Sequence, residues 1–375
     1  MWYTSGKMAK IENGKGLKVV VGLSGGVDSA VSATLLKQSG AEVVGAFIKT
    51  WSPEWLLRPD GGQACTWKEE RREAMRVAAH LDIPFLTIDL EKEYKESVAD
   101  YMISEYKLGR TPNPDVMCNK EIKFGAFLDK ALELGADAIA TGHYARIAQI
   151  SNLKTQSQSY QLLAGKDESK DQSYFLWTLN QRQLSHTIFP VGHIDKSEVR
   201  ELARQFKLPV ANKRDSQGIC FLGHVDMREF LSHYIKTKPG QVLDTSGKVV
   251  GEHDGAIFYT IGQAWNRPYY VVAKNMKKNT LTVSPRLTEG SDPSVIGDKV
   301  IKLKAINWIS GTLPNTYQNT CQIRYHGELL PCKLIGHSMS NQLGGVRFER
   351  PVLIAPGQSV VLYNKEVCLG GGIVR

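Results

Sequence analysis

Residues 17–29 read LKVVVGLSGGVDS, and the predicted fold of the first half of the chain follows from them. The valine-rich apolar run at 17–23 is typical of a strand buried on both faces of a sheet. Two glycines then break the run, and a helix pattern continues through Lys37 to Gly40. A buried strand that turns directly into a helix predicts the first unit of an α/β domain.

The chain after this unit keeps alternating between strand and helix patterns. The predicted strands are 43–48, 85–90 and 138–141, and the predicted helices are 68–81, 94–106, 122–134, 197–206 and 227–235. Apolar segments at 145–150 and 160–163 flank a polar loop and predict a hairpin. This order predicts a doubly wound parallel sheet.

After Pro239 the sequence changes to short alternating segments separated by turn signals, the pattern of small β domains or barrels. We therefore expect an α/β catalytic domain at 1–225, a small β-rich domain at 226–290 and a β-barrel-like domain at 291–375.

The composition is that of a folded protein. The 375 residues are 42% hydrophobic and 23% charged, which excludes a disordered chain. No apolar run approaches the roughly 18 residues of a membrane span. Residues 1–18 have no continuous apolar core and no small-residue cleavage site, so we expect a cytoplasmic protein without a secretory signal. Lys and Arg (47) exceed Asp and Glu (38) by 9, which is a weak indication of a polyanionic partner.

The glycine-rich segment Gly22-Leu23-Ser24-Gly25-Gly26-Val27-Asp28-Ser29 has the features of a phosphate-binding loop. Small residues let the backbone approach an anion, while backbone N–H groups and the following helix N-terminus favour phosphate. The two serine hydroxyls can donate to phosphate oxygens, and the aspartate fits such a site if a divalent cation bridges it to the phosphates. The segment is neither a Walker A loop nor a G-x-G-x-x-G fingerprint. The alternative is a glycine-rich turn that only caps a helix.

Two of the six cysteines lie in polar, turn-rich surroundings. Cys118 lies in TPNPDVMCNKEIKF, where we expect a helix to begin soon after it and to favour its thiolate. Asp115 is a candidate acid/base group. Cys220 lies in RDSQGICFLG, an expected exposed loop. The remaining four are expected to be small buried hydrophobes: Cys65, Cys321, Cys332 and Cys368. No C-x-x-C pair occurs, and we predict no metal site formed by the protein alone.

The loop resembles the pyrophosphate loop (PP-loop) of the ATP pyrophosphatase superfamily, whose members cleave ATP between the α- and β-phosphates. Further blocks resemble the bacterial tRNA-specific 2-thiouridylase family over nearly the whole chain after residue 17. These blocks are GAFIKTW at 45–51, TPNPDVMCNKEIKFG at 111–125, ATGHYAR at 140–146, KDQSYFLW at 170–177, FPVGHIDKSEVRELA at 189–203, DSQGICFLG at 215–223 and APGQSVVLY at 355–363.

The resemblance implies that ATP adenylates the C2 oxygen of the wobble uridine in tRNAs for Lys, Glu and Gln, and that sulfur then replaces this oxygen. Cys220 would carry a persulfide received from a sulfur-relay protein or a cysteine desulfurase, and Cys118 would be the paired catalytic thiol. Sulfur would attack directly from the persulfide or as released hydrosulfide. Both routes end in a transient Cys118–Cys220 disulfide bond.

The resemblance also implies the remaining site residues. The ATP site, which would bind ATP with Mg²⁺, would comprise Gly22, Leu23, Ser24, Gly25, Gly26, Val27, Asp28, Ser29, Ile48 and Gly142. The tRNA contacts would be Asn113, Pro114, Asp115, His143, Lys170, Asp171, Gln172, Arg324, Tyr325 and Gln358. We expect a monomer without a membrane partner. The runner-up is another PP-loop synthetase that adenylates a small molecule, and a third possibility is a non-catalytic tRNA-binding protein.

Overall fold

The computed structural model describes residues 14–56, 67–152, 157–214, 226–285, 297–314, 319–338 and 343–375. Cys65 and Cys220 lie outside these ranges. Among the described residues, no helix is both long enough and apolar enough to cross a membrane.

A five-stranded parallel sheet forms the centre of the first part of the chain and confirms the predicted doubly wound α/β fold. Its strands in spatial order are β3 (Phe85–Asp89), β2 (Glu42–Lys49), β1 (Lys18–Gly22), β4 (Ala138–Ala140) and β7 (Thr187–Ile188). Every neighbouring pair is parallel. The strand order reverses between β1 and β4, and open α/β sheets bind their ligands beyond the carboxyl ends of the strands at such a point.

Helices cover both faces of this sheet, because successive strand residues point to opposite sides. Val19 and Val21 pack in one core with the helices α1 (Val27–Gln38), α2 (Trp67–His80) and α8 (Lys196–Gln205). Val20 packs in the opposite core. The helices of that side are α3 (Glu91–Tyr94), α4 (Asp100–Lys107), α5 (Pro114–Met117), α6 (Phe127–Glu133), α7 (Gln181–Ser185) and α9 (Met227–Tyr234).

The helical run around Cys118 begins earlier than we expected from the sequence. Asn113 accepts a hydrogen bond from the Val116 amide at 3.3 Å, and Pro114 occupies the first helical position, so α5 begins before the cysteine. A π-helical segment, Cys118–Ala126, continues the run into α6. Cys118 therefore lies inside a helical run rather than ahead of one, and its side chain is only 2% exposed.

The central part of the chain forms a small β domain. Its strands are β8 (Gly240–Leu243), β9 (Val249–His253), β10 (Ala264–Asn266), β11 (Tyr269–Asn275) and β12 (Thr280–Ser284). They pair in the order β10-β11-β12-β8-β9, and Val242, Val271 and Leu281 form the centre of the core.

The C-terminal part closes into a six-stranded barrel. Its strands are β13 (Asp298–Trp308), β14 (Asn319–Gln322), β15 (Leu330–Ser338), β16 (Leu343–Val352), β17 (Ser359–Asn364) and β18 (Val367–Val374). The barrel closes because β13 pairs with both β16 and β18. Cys321, Cys332 and Cys368 are buried here, as predicted, and form no disulfide within the described residues.

The predicted hairpin is also confirmed, and it joins the barrel rather than the parallel sheet. It consists of β5 (Ala145–Asn152) and β6 (Ser157–Ala164). Leu163 pairs with Val367 and Leu162 with Cys368. Strand β6 therefore pairs with β18, although the two strands are separated by about half the length of the chain. The α/β part and the barrel therefore share one continuous antiparallel sheet.

Candidate active site

The loop between β1 and α1 lies at the switch point of the sheet and is built around Gly25. Gly25 has φ +73°, and a Cβ there would lie 2.5 Å from the Glu70 carbonyl oxygen. Any other residue would strain the backbone and clash with α2. The Ser29 hydroxyl lies 3.3 Å from that of Ser24 and donates to the Gly26 carbonyl oxygen at 3.2 Å. The two hydroxyls thus converge beside the glycines.

The N-terminus of α1 is open toward this loop. Gly26 is its N-cap residue and makes no side-chain capping hydrogen bond. The first-turn amides and the positive end of the helix dipole favour an anion. This arrangement fits a phosphate group.

Gly142 packs directly against the same helix turn. A Cβ at Gly142 would lie 2.7 Å from the Ser29 amide nitrogen and 2.8 Å from the Asp28 carbonyl carbon. The backbone that follows β4 therefore lies so close to the first turn of α1 that no side chain fits at Gly142. Half-buried Ile48 lies at the carboxyl end of the neighbouring strand β2 and offers an apolar surface at the same end of the sheet.

Asp28 is held by two residues that our sequence analysis did not assign to the site. Lys196 Nζ, at the first position of α8, lies 2.7 and 2.8 Å from the two carboxylate oxygens, and the Tyr144 hydroxyl donates to Oδ1 at 2.8 Å. The Lys196 side chain is only 12% exposed. The lysine follows Asp195 inside one of the family-like blocks, which was the only sequence signal for it.

A second lysine, Lys213, reaches the loop from the segment that follows α8. Lys213 Nζ donates to the Gly25 carbonyl oxygen at 3.1 Å and pairs with Glu73 of α2. Both lysines thus lie at the loop, and each is paired there with a carboxylate, Lys196 with Asp28 and Lys213 with Glu73. Phosphate recognition at this site therefore depends on the backbone amides and hydroxyls of the loop.

The residues of the predicted base-contact block lie together on α5 and its cap. Asn113, Pro114 and Asp115 are partly exposed, whereas Cys118 is buried in the core beneath them. The Asn119 side chain donates to the Phe175 carbonyl oxygen at 3.1 Å and ties this helix to the segment that contains Lys170 and Gln172. A partly exposed acid and a sheltered thiol thus lie within one helical turn of each other.

Several predicted tRNA contacts make hydrogen bonds within the protein. Asp171 accepts from the Gly165 and Ser173 amides, and burial raises the pKa of its carboxyl group against the opposing effect of these hydrogen bonds. Gln172 accepts from the Tyr144 amide at 3.0 Å. The partly exposed Lys170 precedes them. The hydrogen bonds of Asp171 and Gln172 hold the segment 170–173 against Tyr144, which contacts Asp28 of the phosphate loop.

His143 is buried between the rings of Phe124 and Phe189. Its Nδ1 lies 2.7 Å from the Thr141 hydroxyl oxygen. Burial, reinforced by the charge of Lys123, holds the pKa of this imidazole well below its ordinary value. The neutral ring therefore stabilises the chain next to Gly142.

The three barrel residues predicted to contact tRNA differ in exposure and in the contacts that they make within the protein. Arg324 is exposed, and the Tyr325 ring lies between Phe175 (centroid distance 4.4 Å) and the ring of His326 (3.8 Å). Gln358 instead donates to the Thr111 carbonyl oxygen at 2.8 Å. Among the described residues, no cluster of three or more His, Cys, Asp or Glu side chains could hold a metal ion.

Three family models cover most of the chain. Residues 17–224 match a family described as the tRNA methyl transferase HUP domain. Residues 228–285 match the tRNA methyl transferase PRC-barrel domain, and residues 298–374 match the aminomethyltransferase beta-barrel domain.

Curated proteins similar to this chain include tRNA-specific 2-thiouridylases from different bacteria. A tRNA-specific 2-thiouridylase MnmA from Nitrosomonas europaea is 45% identical over 95% of this chain and 98% of its own length. A tRNA-specific 2-thiouridylase MnmA 2 from Geobacillus kaustophilus is 42% identical over 95% of this chain and 94% of its own length.

Proposed function

Because the chain belongs to the tRNA-specific 2-thiouridylase family, we propose that it replaces the C2 oxygen of a tRNA wobble uridine with sulfur in an ATP-dependent reaction. The tRNAs are those for Lys, Glu and Gln. The sulfur comes from a relay protein or a cysteine desulfurase. The enzyme works as a monomer in the cytoplasm, where its tRNA substrates are.

The first step activates an oxygen that is otherwise a poor leaving group. The uridine C2 oxygen attacks the α-phosphorus of ATP, and pyrophosphate leaves. The uncapped N-terminus of α1 and the hydroxyls of Ser24 and Ser29 bind the phosphates. Mg²⁺, when bound with ATP, would neutralise phosphate charge beside Asp28. Lys196 then moves from that carboxylate to a phosphate oxygen.

The second step replaces AMP with sulfur. Either the terminal persulfide sulfur on Cys220 attacks C2 and Cys118 then attacks the Cys220 sulfur, or Cys118 first attacks the Cys220 sulfur and releases hydrosulfide, which attacks C2. AMP leaves in both routes, and the two cysteines end as a disulfide. A thiol reductant must return two electrons before the next turnover.

Asp115 and the partly exposed end of α5 receive the uridine, which must leave its stack to be reached. Asp115 is the candidate acid/base group for this base. The burial of Cys118 keeps its thiol away from bulk solvent until a base and a persulfide arrive.

Two features of the same α/β part carry this proposal. The PP-loop leads into the N-terminus of α1 at the point where the strand order reverses, and the helical run that contains Cys118 supplies a thiol. An assay of AMP and pyrophosphate release, with and without tRNA, tests it. Release that requires tRNA supports the proposal. Release that requires only a small acceptor molecule would instead support the alternative PP-loop synthetase.

Because two of the matching families are described as tRNA methyl transferase domains, methylation is a second reaction that must be distinguished from thiolation. Sulfur-for-oxygen exchange and methyl addition give products of different mass, so mass spectrometry of the modified nucleoside separates thiolation from methylation.

A further inference from the structure

Thr111 lies at a junction of all three parts of the chain. It is only 8% exposed and begins the segment that leads to Cys118. Its amide donates to the Pro356 carbonyl oxygen at 2.7 Å, and its carbonyl oxygen accepts from Gln358 Nε2 at 2.8 Å. Its hydroxyl lies 3.3 Å from that of Thr260 in the central β domain. The backbone of Thr111 is therefore fixed from the barrel and its side chain from the central domain.

Gly357 allows this junction to form. It has φ +94°, and a Cβ there would lie 2.9 Å from both the carbonyl carbon and the carbonyl oxygen of Thr111. Contacts this short with backbone atoms force one chain to move. The turn between β16 and β17 can reach Thr111 only while this position is glycine.

The segment that is held in this way leads directly to the proposed chemistry. Asn113, two residues after Thr111, caps α5, and Asp115 and Cys118 follow within one and a half helical turns. A shift at Thr111 therefore moves the start of α5. Displacing reacting groups by about 1 Å costs on the order of 100-fold in rate.

We propose that the barrel turn containing Pro356, Gly357 and Gln358 positions the catalytic segment through Thr111, so that docking of the barrel sets the rate of the reaction. Gln358 is then a positioning residue that acts through Thr111 rather than a tRNA contact. This inference rests on the proposed function, because the segment that it positions is the one that carries Asp115 and Cys118.

Two variants remove the contact in different ways. Gly357→Ala inserts a methyl group against Thr111. Gln358→Glu keeps the side-chain shape but replaces the donor with an acceptor that faces the Thr111 carbonyl oxygen. The matched control is Gly311→Ala in the same barrel, where the glycine has φ +76° and no atom of the described residues lies within 4 Å of the added Cβ. It introduces the same backbone strain without touching Thr111.

The test measures the dissociation constant for tRNA, the thiolation kcat at saturating tRNA and ATP, and the melting temperature. We expect both variants to lose at least about tenfold in kcat and to keep tRNA affinity within about twofold, while Gly311→Ala thiolates at the wild-type rate. If Gly357→Ala does not fold, Gln358→Glu decides the question.

Two results would overturn the inference. One is unchanged kcat with weakened tRNA binding in Gln358→Glu, which would make Gln358 an RNA contact. The other is wild-type kinetics in every variant that folds. Absence of thiolation by the wild-type protein would instead overturn the proposed function, and the inference with it.

Discussion

Lys196 Nζ lies within 2.8 Å of both carboxylate oxygens of Asp28, although 168 residues separate the two in sequence. This ion pair joins the phosphate-loop end of α1 to the first residue of α8. Partly buried ion pairs add little net stability, because desolvation offsets their attraction. We interpret the pair as a resting state in which the lysine neutralises Asp28 before ATP binds.

The first prediction concerns this lysine. Lys196→Met removes a cation beside the phosphates, and we expect ATP-dependent AMP release to fall by on the order of 100-fold. The control is Lys166→Met, which breaks a surface pair with Asp195 at 2.9 Å and should leave turnover unchanged. Equal AMP release by the two variants would show that Lys196 has no role in the reaction with ATP.

The second prediction concerns the loop backbone. Gly25→Ala adds a methyl group 2.5 Å from the Glu70 carbonyl oxygen at a positive φ, so the loop must open. We expect ATP to bind at least about tenfold more weakly, as measured by isothermal titration calorimetry. Gly16→Ala is the matched control, since Gly16 has φ +81° and, in the part of the chain that the structure describes, no neighbour within 4 Å of the added Cβ. Unchanged ATP affinity in a folded Gly25→Ala protein would argue against phosphate binding at this loop.

The third prediction concerns pH and stability. The pKa of His143 lies well below its ordinary value because the ring is buried. Below about pH 6.5 the unfolded chain therefore binds a proton that the folded chain does not, and stability falls as the pH is lowered toward the folded-state pKa. Well above pH 6.5 the ring is neutral in both the folded and the unfolded chain, so this histidine does not change the stability with pH.

His143→Phe tests this by removing the ionisable ring from its aromatic surroundings. Between pH 7 and pH 5 the free energy of unfolding should fall less in the variant than in wild type, by on the order of 1 kcal/mol. Denaturant titrations at both pH values measure the difference. Parallel pH profiles would mean that His143 protonates equally well in the folded protein.

The fourth prediction concerns Tyr325. Its ring packs against Phe175 and His326 at the barrel end of the predicted tRNA surface. If a nucleotide stacks here, Tyr325→Ala should weaken tRNA binding about tenfold, whereas Tyr325→Phe keeps the ring and should bind within about twofold of wild type. Equal binding by all three proteins in filter-binding or anisotropy measurements would exclude a stacking role.

The sequence was sufficient for elements whose pattern is local. The buried run at 17–23, the glycine loop and the hairpin at 145–164 all follow from apolar periodicity and breaker residues, and the structure agrees. The burial of Cys332 and Cys368 follows from their strand patterns in the same way, and that of Cys321 follows from the general tendency of free cysteines to be buried.

What the sequence did not predict depends on distant contacts. Nothing near Asp28 indicates Lys196, and nothing near Thr111 indicates Gln358. The pairing of β6 with β18 likewise depends on barrel closure rather than on either segment alone. The early start of α5 is a different case, since its signal is local: Asn113 caps the helix and Pro114 occupies its first position, whereas we expected the helix to begin after Cys118.

The central claim is that Cys118 and Cys220 together deliver sulfur to the wobble uridine. Mass spectrometry of wobble nucleosides, after tRNA is incubated with ATP, a persulfide source and the protein, tests it most directly. We expect 2-thiouridine from wild type and from Cys332→Ala, and none from Cys118→Ser or Cys220→Ser. Full thiolation by either serine variant would contradict the account.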